Sequence, residues 1–261
     1  MASRRSKPSQ LGMDKSMRLK DKIAIITGAG SGFGAGIARK FAAEGAHVIV
    51  SDINGEAAAE VAKEINGTPV TCNVADRADV EKLRDIAAAA GPVDIIVNNA
   101  GVTHLPSATE DVTESDFDKI VAVNMKAIYL MTQTFVPAFK ERGSGNILNI
   151  ASTAGVSPRP GLSWYNASKG WVITATRSLA VELAPAGIRV NALNPVAGET
   201  PLLKSFMGQD TPEVRAKFLS TIPLGRFSTA EDMGNAACFL CSDEASMITG
   251  VAMEVDGGRC I

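Results

Sequence analysis

The sequence predicts an α/β chain: a doubly wound sheet of about seven parallel strands with helices on both faces. Three observations carry this prediction. From Asp21 onward, short β-branched runs alternate with longer helical patterns, which is how βαβ units read in sequence. The strand runs are continuously apolar rather than alternating, as suits strands covered on both faces. A glycine-rich loop joins the first run to the first helical pattern.

Taken in order, residues 22–27 (KIAIIT) form the first strand, followed by the glycine loop and a helical stretch over 35–44 that closes at Gly45. Residues 47–51 (HVIVS) are the second strand and 55–65 the second helix. Runs at 70–73, 94–97, 146–150, 189–193 and 252–255 supply the other strands, and helices are expected over 80–90, 114–142, 164–183 and 231–241. In the longest helix, Pro137 is expected to kink or end it. The stretch 120–139 is apolar on more than one face, so part of it is expected to meet another subunit. Its Asn124, Lys126 and Gln133 exclude a membrane span. No linker or internal repeat divides the chain, which reads as one catalytic domain over 20–261 behind a basic, disordered extension over 1–19.

With 46% hydrophobic and 21% charged residues in 261, the composition excludes disordered and collagen-like classes. Aromatics are scarce, and the only tyrosines are Tyr129 and Tyr165, so there is no stacking platform for single-stranded nucleic acid. A net charge of −2 argues against bulk binding to nucleic acid or an anionic membrane, and neither partner is expected. The charge is uneven: Arg4, Arg5, Lys7, Lys15, Arg18 and Lys20 face only Asp14 at the start, which leaves the remainder acidic. That basic segment has no apolar run behind it, so it reads as a solvated extension rather than a secretory or twin-arginine leader, and a cytoplasmic location is expected. The four cysteines fit a reducing compartment. Cys238 and Cys241 have C-x-x-C spacing, but a second pair is missing and His47 and His104 are the only histidines, so no metal is expected.

The loop after the first strand reads Thr27-Gly28-Ala29-Gly30-Ser31-Gly32-Phe33-Gly34. Glycines there permit a sharp turn, close approach of backbone to a pyrophosphate and tight helix–sheet packing. The helix N-terminus that follows offers free N–H groups and a positive dipole to phosphates. Asp52 closes the second strand, 18 residues beyond Gly34. A carboxylate at that place accepts the ribose hydroxyls of NAD and repels the 2′-phosphate of NADP. No Arg or Lys stands in the loop or just after Asp52, so NAD is the expected cofactor.

Tyr165 and Lys169 are i and i+4 on one helix and share a face. An ammonium beside a phenol is expected to lower its pKa from about 10 toward working pH. Tyr165 then takes the hydroxyl proton of an alcohol as hydride leaves the carbon, or protonates a ketone oxygen in reverse. Ser152 is placed to hydrogen-bond the same oxygen.

The spacing Thr-Gly-x-x-x-Gly-x-Gly resembles that of the short-chain dehydrogenase/reductase (SDR) family, and further motifs stand in that family's order. They are Asn98-Asn99-Ala100-Gly101, Asn124 in the long helix, Ser152, and Tyr165-Asn166-Ala167-Ser168-Lys169 starting 13 residues after Ser152. Asn191-Ala192-Leu193-Asn194-Pro195, Thr200 and Asp256-Gly257-Gly258 complete the series. The resemblance spans residues 20–261 and implies a Rossmann fold, an NAD(P)-dependent oxidoreductase and a homotetramer. It also implies that Lys169 holds the nicotinamide ribose and that Asn124 positions a water linking Lys169 to solvent. The implied cofactor contacts begin with Gly28, Ser31, Phe33 and Gly34 at the pyrophosphate, Asp52 and Ile53 at the adenosine ribose, and Asn73 and Val74 at adenine. Asn99, Ala100 and Gly101 back the central crevice, and Pro195, Gly198 and Thr200 meet the carboxamide. Two residues depart from the family pattern. Asn73 stands where many relatives have Asp, with its amide carbonyl expected to keep the hydrogen bond to adenine. Val196 follows Pro195 where Gly is usual, and is strained if its φ is positive.

Between the last two strands, Leu202, Leu203, Phe206 and Met207 either cap an apolar substrate as a lid or pack on the core. His104, Arg159 and Trp164 are candidate substrate contacts, and Arg159 is either a clamp for a carboxylate or phosphate or an exposed structural arginine. The expected activity is NAD-dependent interconversion of a small secondary alcohol and a ketone. The alternatives are a 3-oxoacyl-thioester reductase, which Asp52 weakens, and an NAD-binding scaffold whose catalytic residues are idle.

Overall fold

The apolar runs become strands β1 (Ile23–Thr27), β2 (His47–Asp52), β3 (Thr68–Thr71), β4 (Ile95–Asn98), β5 (Gly145–Ile150), β6 (Ile188–Pro195) and β7 (Ala252–Val255). In the computed structural model, which describes residues 17–261, they form one seven-stranded sheet of order β3-β2-β1-β4-β5-β6-β7. Every pairing is parallel. The helices are α1 (Gly32–Ala43), α2 (Gly55–Ile65), α3 (Arg77–Ala90), α4 (Glu114–Ile120), α5 (Ala127–Arg142), α6 (Ser163–Leu183), α7 (Leu203–Met207), α8 (Pro212–Leu219) and α9 (Ala230–Cys241).

Alternate residues of each central strand enter different cores. Ala24, Ile26, Val48 and Val50 pack with Ile37 and Phe41 of α1 and Met233 and Leu240 of α9. Ile25 and Ile49 pack on the opposite face with Leu83 of α3, Leu130 and Phe139 of α5 and Leu183 of α6. Both faces of the sheet are dry, which is why the strand runs carry no polar alternation. Strand order reverses between β1 and β4, so the loops leaving them diverge and open a crevice at the carboxyl ends of the strands.

Four expectations about the elements need correction. The third strand runs over Thr68–Thr71 rather than 70–73. Asn73 lies in the turn beyond it, where its Oδ1 accepts the Ala75 N–H at 3.1 Å and its own N–H donates to Asp79 at 2.9 Å. Pro69 is accommodated because β3 is an edge strand. Second, the expected helix over 114–142 is three pieces: α4, a π-helical segment Val121–Lys126, and α5. Pro137 neither ends nor divides α5, which continues to Arg142 and stops at Gly143 with φ of +72°. Third, α1 starts at Gly32, because glycines belong to the helix without contributing to its apolar period. Fourth, the folded body begins before residue 20. Leu19 is fully buried, and Arg18 pairs with Glu44 at 3.4 Å. The rest of the expected extension, residues 1–16, lies outside the described residues.

Cys238 and Cys241 are buried core residues of α9. Among the described residues no cluster of His, Cys, Asp and Glu is arranged to hold a metal ion, and no helix is long and apolar enough to cross a membrane.

Candidate active site

A cavity of about 540 Å³ runs along the carboxyl ends of the strands. Gly28, Ser31 and Phe33 reach it from the loop after β1, Asp52 and Ile53 from β2, and Asn73 and Val74 from β3. Asn99, Ala100 and Gly101 arrive from β4, Ser152 from β5, and Pro195, Gly198 and Thr200 from β6. Tyr165 and Lys169 of α6 complete the lining among the expected catalytic and cofactor-binding residues.

The glycine loop is built for close approach. Gly34 lies beneath the loop rather than on the cavity wall, and a Cβ there would run into the Gly28 carbonyl oxygen. Asn99 braces the same turn, its Nδ2 donating to the carbonyls of Thr27 at 2.8 Å and Gly28 at 3.0 Å. Ser31, extended at the start of α1, makes no side-chain capping bond. The first-turn N–H groups are thus left to an external acceptor, as an anion-binding helix terminus requires. Asp52 Oδ2 accepts the Gly30 N–H at 2.9 Å and Oδ1 the Asn54 N–H at 2.9 Å. These bonds orient the carboxylate and leave each oxygen a second acceptor site.

At the far end of the crevice, Ser152 follows β5 in extended conformation and its Oγ accepts the Ala154 N–H at 3.0 Å. Ser152 and Tyr165 line the same end of the cavity. Lys169 Nζ donates to the Ile150 carbonyl at 2.8 Å and stands 5.8 Å from the centroid of the Tyr165 ring. Burial pushes the Tyr165 phenol up to about 12, against the smaller opposing effect of Ser152. Burial likewise lowers the Lys169 ammonium to about 8. Lys169, expected to lower the phenol's pKa, stands beside the ring on the same face of α6. Nζ is anchored on the Ile150 carbonyl, and burial is the main cause of the upward shift of the phenol.

Asn124 lies behind the cavity wall in the π-helical segment, where both its donors and one acceptor position of Oδ1 are used. Its Oδ1 accepts the Val102 N–H at 2.9 Å, while Nδ2 donates to the Val102 carbonyl at 2.9 Å and to Ser168 Oγ at 3.0 Å. A Cβ on Gly101 would sit 3.5 Å from Lys169 Nζ and 3.6 Å from Asn124 Oδ1, so both atoms face the same point beside Gly101. The π-helical turn, a form often found at functional sites, is what swings Asn124 there.

The substrate candidates divide. Phe206 lies against Tyr165 with ring centroids 5.1 Å apart, and Leu202 also lines the cavity. Leu203 and Met207 turn away, packing with Val196, Ile222 and Phe227. Arg159 lines the cavity, its guanidinium 4.4 Å from the Phe218 ring centroid. His104 and Trp164 do not line it. His104 is buried, its Nδ1 2.8 Å from the Leu105 carbonyl oxygen, and Trp164 packs edge-on against Phe117 at 5.4 Å. As the residue before Tyr165 in a helix, Trp164 points about 100° away from it.

Val196 is buried and not in the positive-φ region. Its N–H donates to the Val255 carbonyl at 3.3 Å and its own carbonyl accepts from Ser228 Oγ at 3.1 Å, so it prolongs the β6–β7 pairing without strain. Gly198 absorbs the close approach instead, since a Cβ there would meet the Phe33 ring. Two features escape sequence reading. Phe218 of α8 joins the cavity wall. A buried chain from Asn98 to Asn149 at 2.8 Å and Asn149 to Thr176 at 2.9 Å ties β4, β5 and α6 together. The only sequence signal for that chain is an asparagine inside an otherwise apolar run.

A parallel sheet whose glycine loop shares one crevice with Ser152, Tyr165 and Lys169 defines a Rossmann-fold oxidoreductase. A family model described as "Enoyl-(Acyl carrier protein) reductase" matches residues 28–259. The chain is 47% identical to 4-formylbenzenesulfonate dehydrogenase of Comamonas testosteroni, over 94% of this chain and 100% of that one. It is 40% identical to 3-oxoacyl-[acyl-carrier-protein] reductase of Thermotoga maritima, over 94% and 100%. Among solved structures, 3-ketoacyl-(acyl-carrier-protein) reductase of Brucella melitensis complexed with NADH superposes with a TM-score of 0.89 at 51% identity, covering 93% of this chain and 100% of that one. The chain belongs to the short-chain dehydrogenase/reductase family.

Proposed function

We propose that this oxidoreductase interconverts a small secondary alcohol and a ketone with NAD, using Tyr165 as general acid/base, Ser152 to hold the reacting oxygen, and Lys169 and Asn124 for proton exchange. The observation that carries this reading is the convergence of Ser152, Tyr165 and Lys169 on the cavity that the glycine loop and Asp52 also line. The site fits a dinucleotide: a glycine turn that a Cβ would fill, a helix N-terminus without a side-chain cap, and an oriented carboxylate free of cationic neighbours. NAD bound there supplies the hydride acceptor, or as NADH the donor. Ile53 and Val74 would flank the adenosine half, with Asn73 sharing its Oδ1 between Ala75 and adenine.

The chain's own residues manage the proton. The Ser152 hydroxyl and the Tyr165 phenol converge on one substrate oxygen, and Tyr165 gives its proton to that oxygen as carbonyl becomes alcohol. Ser152 stabilises the charge developing there. Lys169, facing the same point beside Gly101 as Asn124, is placed to return a proton through water. A buried phenol held protonated favours reduction at neutral pH. Alcohol oxidation needs the phenolate, whose population rises about tenfold per pH unit below the pKa. The kcat/KM for oxidation is therefore expected to climb from neutral into alkaline pH. That for reduction should stay level up to about 8 and fall as Lys169 loses its charge. Parallel pH profiles in the two directions check this, and a level oxidation profile refutes the role of Tyr165.

The direct test is NAD reduction over a panel of secondary alcohols, polyols and hydroxy acids. The panel includes 4-formylbenzenesulfonate, from the name of the Comamonas relative, and an acetoacetyl thioester with NADH. The thioester covers the second reading, which the names of the Thermotoga and Brucella proteins favour. Turnover of the thioester alone would select it. The assembly we infer is a cytoplasmic homotetramer, supported by the apolar side chains that α5 and α6 leave exposed, Tyr129, Trp171 and Val181. Light scattering is expected to give about four times the chain mass of 27.2 kDa, and a monomer at micromolar concentration refutes it.

A further inference from the structure

The cavity carries a cation that the proposed chemistry does not use. Arg159 lines it half-buried and forms no ion pair with any carboxylate among the described residues. Its one side-chain bond runs from Nη2 to Thr221 Oγ1 at 3.2 Å, leaving most of a five-donor guanidinium uncommitted. Burial, and then the charge of Arg259, lower the Arg159 pKa; the Arg259 guanidinium is held on Ser157, two residues before Arg159. Arg259 is itself without an acid: Nη1 donates to Ser157 Oγ at 3.0 Å, and its buried Nε has no partner. Neither guanidinium meets a carboxylate, so the donors of Arg159 that face the cavity are open to an anion.

Arg159 is also held in place. Asn166, the residue after Tyr165, donates from Nδ2 to the Arg159 carbonyl at 2.8 Å, which ties the arginine loop to the helix that carries the reacting phenol. The guanidinium rests on the Phe218 ring at 4.4 Å, fixing its plane. Between this cation and Tyr165 the cavity wall is apolar, formed by Leu162, Leu202, Phe206 and Phe218.

We propose that Arg159, supported by Arg259, is an oxyanion-binding subsite of the substrate cavity. The substrate class would then be an alcohol or carbonyl compound with an apolar, ring-sized body and a carboxylate or sulfonate at its far end. The inference rests on the reading of Ser152 and Tyr165 as the reacting end of the cavity.

The test compares two probes that share one ring and differ in charge and a methyl group, 4-(1-hydroxyethyl)benzoate and its methyl ester, in wild type, Arg159→Leu, Arg159→Lys and Arg259→Gln. The readout is the ratio of kcat/KM for the acid over the ester within each preparation, because a general folding or lid defect cancels in that ratio. In wild type the acid is expected to be preferred by about tenfold or more, the size of one charge-assisted contact. The preference should vanish in Arg159→Leu, survive in part in Arg159→Lys and weaken in Arg259→Gln. A wild-type ratio near one, or a ratio unchanged in Arg159→Leu, overturns the subsite. Failure of wild type to turn over either probe counts against the activity reading instead. The subsite is then decided by calorimetric titration of the NADH-saturated protein with 4-acetylbenzoate and its methyl ester. Tighter binding of the acid that is lost in Arg159→Leu supports it, and equal binding overturns it.

Discussion

Replacing Tyr165 by Phe is expected to lower kcat in both directions by about 10²–10⁴-fold, the contribution of a positioned proton donor. The phenyl ring keeps its place against Phe206, 5.1 Å between centroids, so the cavity wall and the fold survive the change. What disappears is the hydroxyl that lines the cavity with Ser152. Removing one buried hydroxyl costs about 1 kcal/mol of stability at most, far too little to unfold the chain. Three measurements separate chemistry from structure: steady-state rates, a fluorescence titration with NADH, and a melting curve. Lost turnover with preserved NADH affinity supports the assignment. Turnover within a few-fold of wild type removes Tyr165 from the reaction and revives the idle-scaffold alternative.

The second large effect is expected at Asp52. Wild type should prefer NAD over NADP, because the carboxylate, held by the N–H groups of Gly30 and Asn54 at 2.9 Å each, repels a 2′-phosphate and accepts ribose hydroxyls. Asp52→Asn keeps an acceptor for one loop amide but loses the charge. Asp52→Ala loses both acceptors and loosens the glycine loop as well. The NAD/NADP ratio of kcat/KM is expected to fall by about tenfold to a hundredfold in Asp52→Asn, since hydrogen bonds to a charged group are worth about 1.5–3 kcal/mol. In Asp52→Ala the fall should be larger and accompanied by weaker binding of both nucleotides. A wild-type enzyme that uses NADP equally well sinks the role given to Asp52.

Features that depend on a few neighbouring residues are legible in the amino-acid sequence alone. Continuous Ile/Val runs announce the central strands, which are buried on both faces, and a seven-stranded sheet forms around them. Tyr165 and Lys169 share a helix face simply because they are four residues apart in α6. The glycine loop and Asp52 come together because a βαβ unit brings the ends of adjacent parallel strands side by side.

Other features are illegible because they depend on what arrives from elsewhere in the chain. The π-helical turn at Val121–Lys126 inserts an extra residue that no apolar period records, yet it aims Asn124 at Val102 and Ser168. Val196 looks strained in sequence, and it is relaxed because β7 supplies a partner for its N–H. Trp164 and His104 sit close in sequence to site residues and still face away from the cavity.

By itself, then, the sequence determined the sheet, the glycine crevice and the candidate reacting side chains, since each follows from local period, spacing and side-chain chemistry. Only the tertiary structure decided their electrostatics. Burial raises Tyr165 to about 12 and lowers Lys169 to about 8, because desolvation depends on everything packed around a group and not on its neighbours in the chain. It also decided that Arg159 enters the cavity while Arg259, 100 residues further on, binds Ser157 of the same loop. That pairing exists only where the loop after β5 and the C-terminal segment meet.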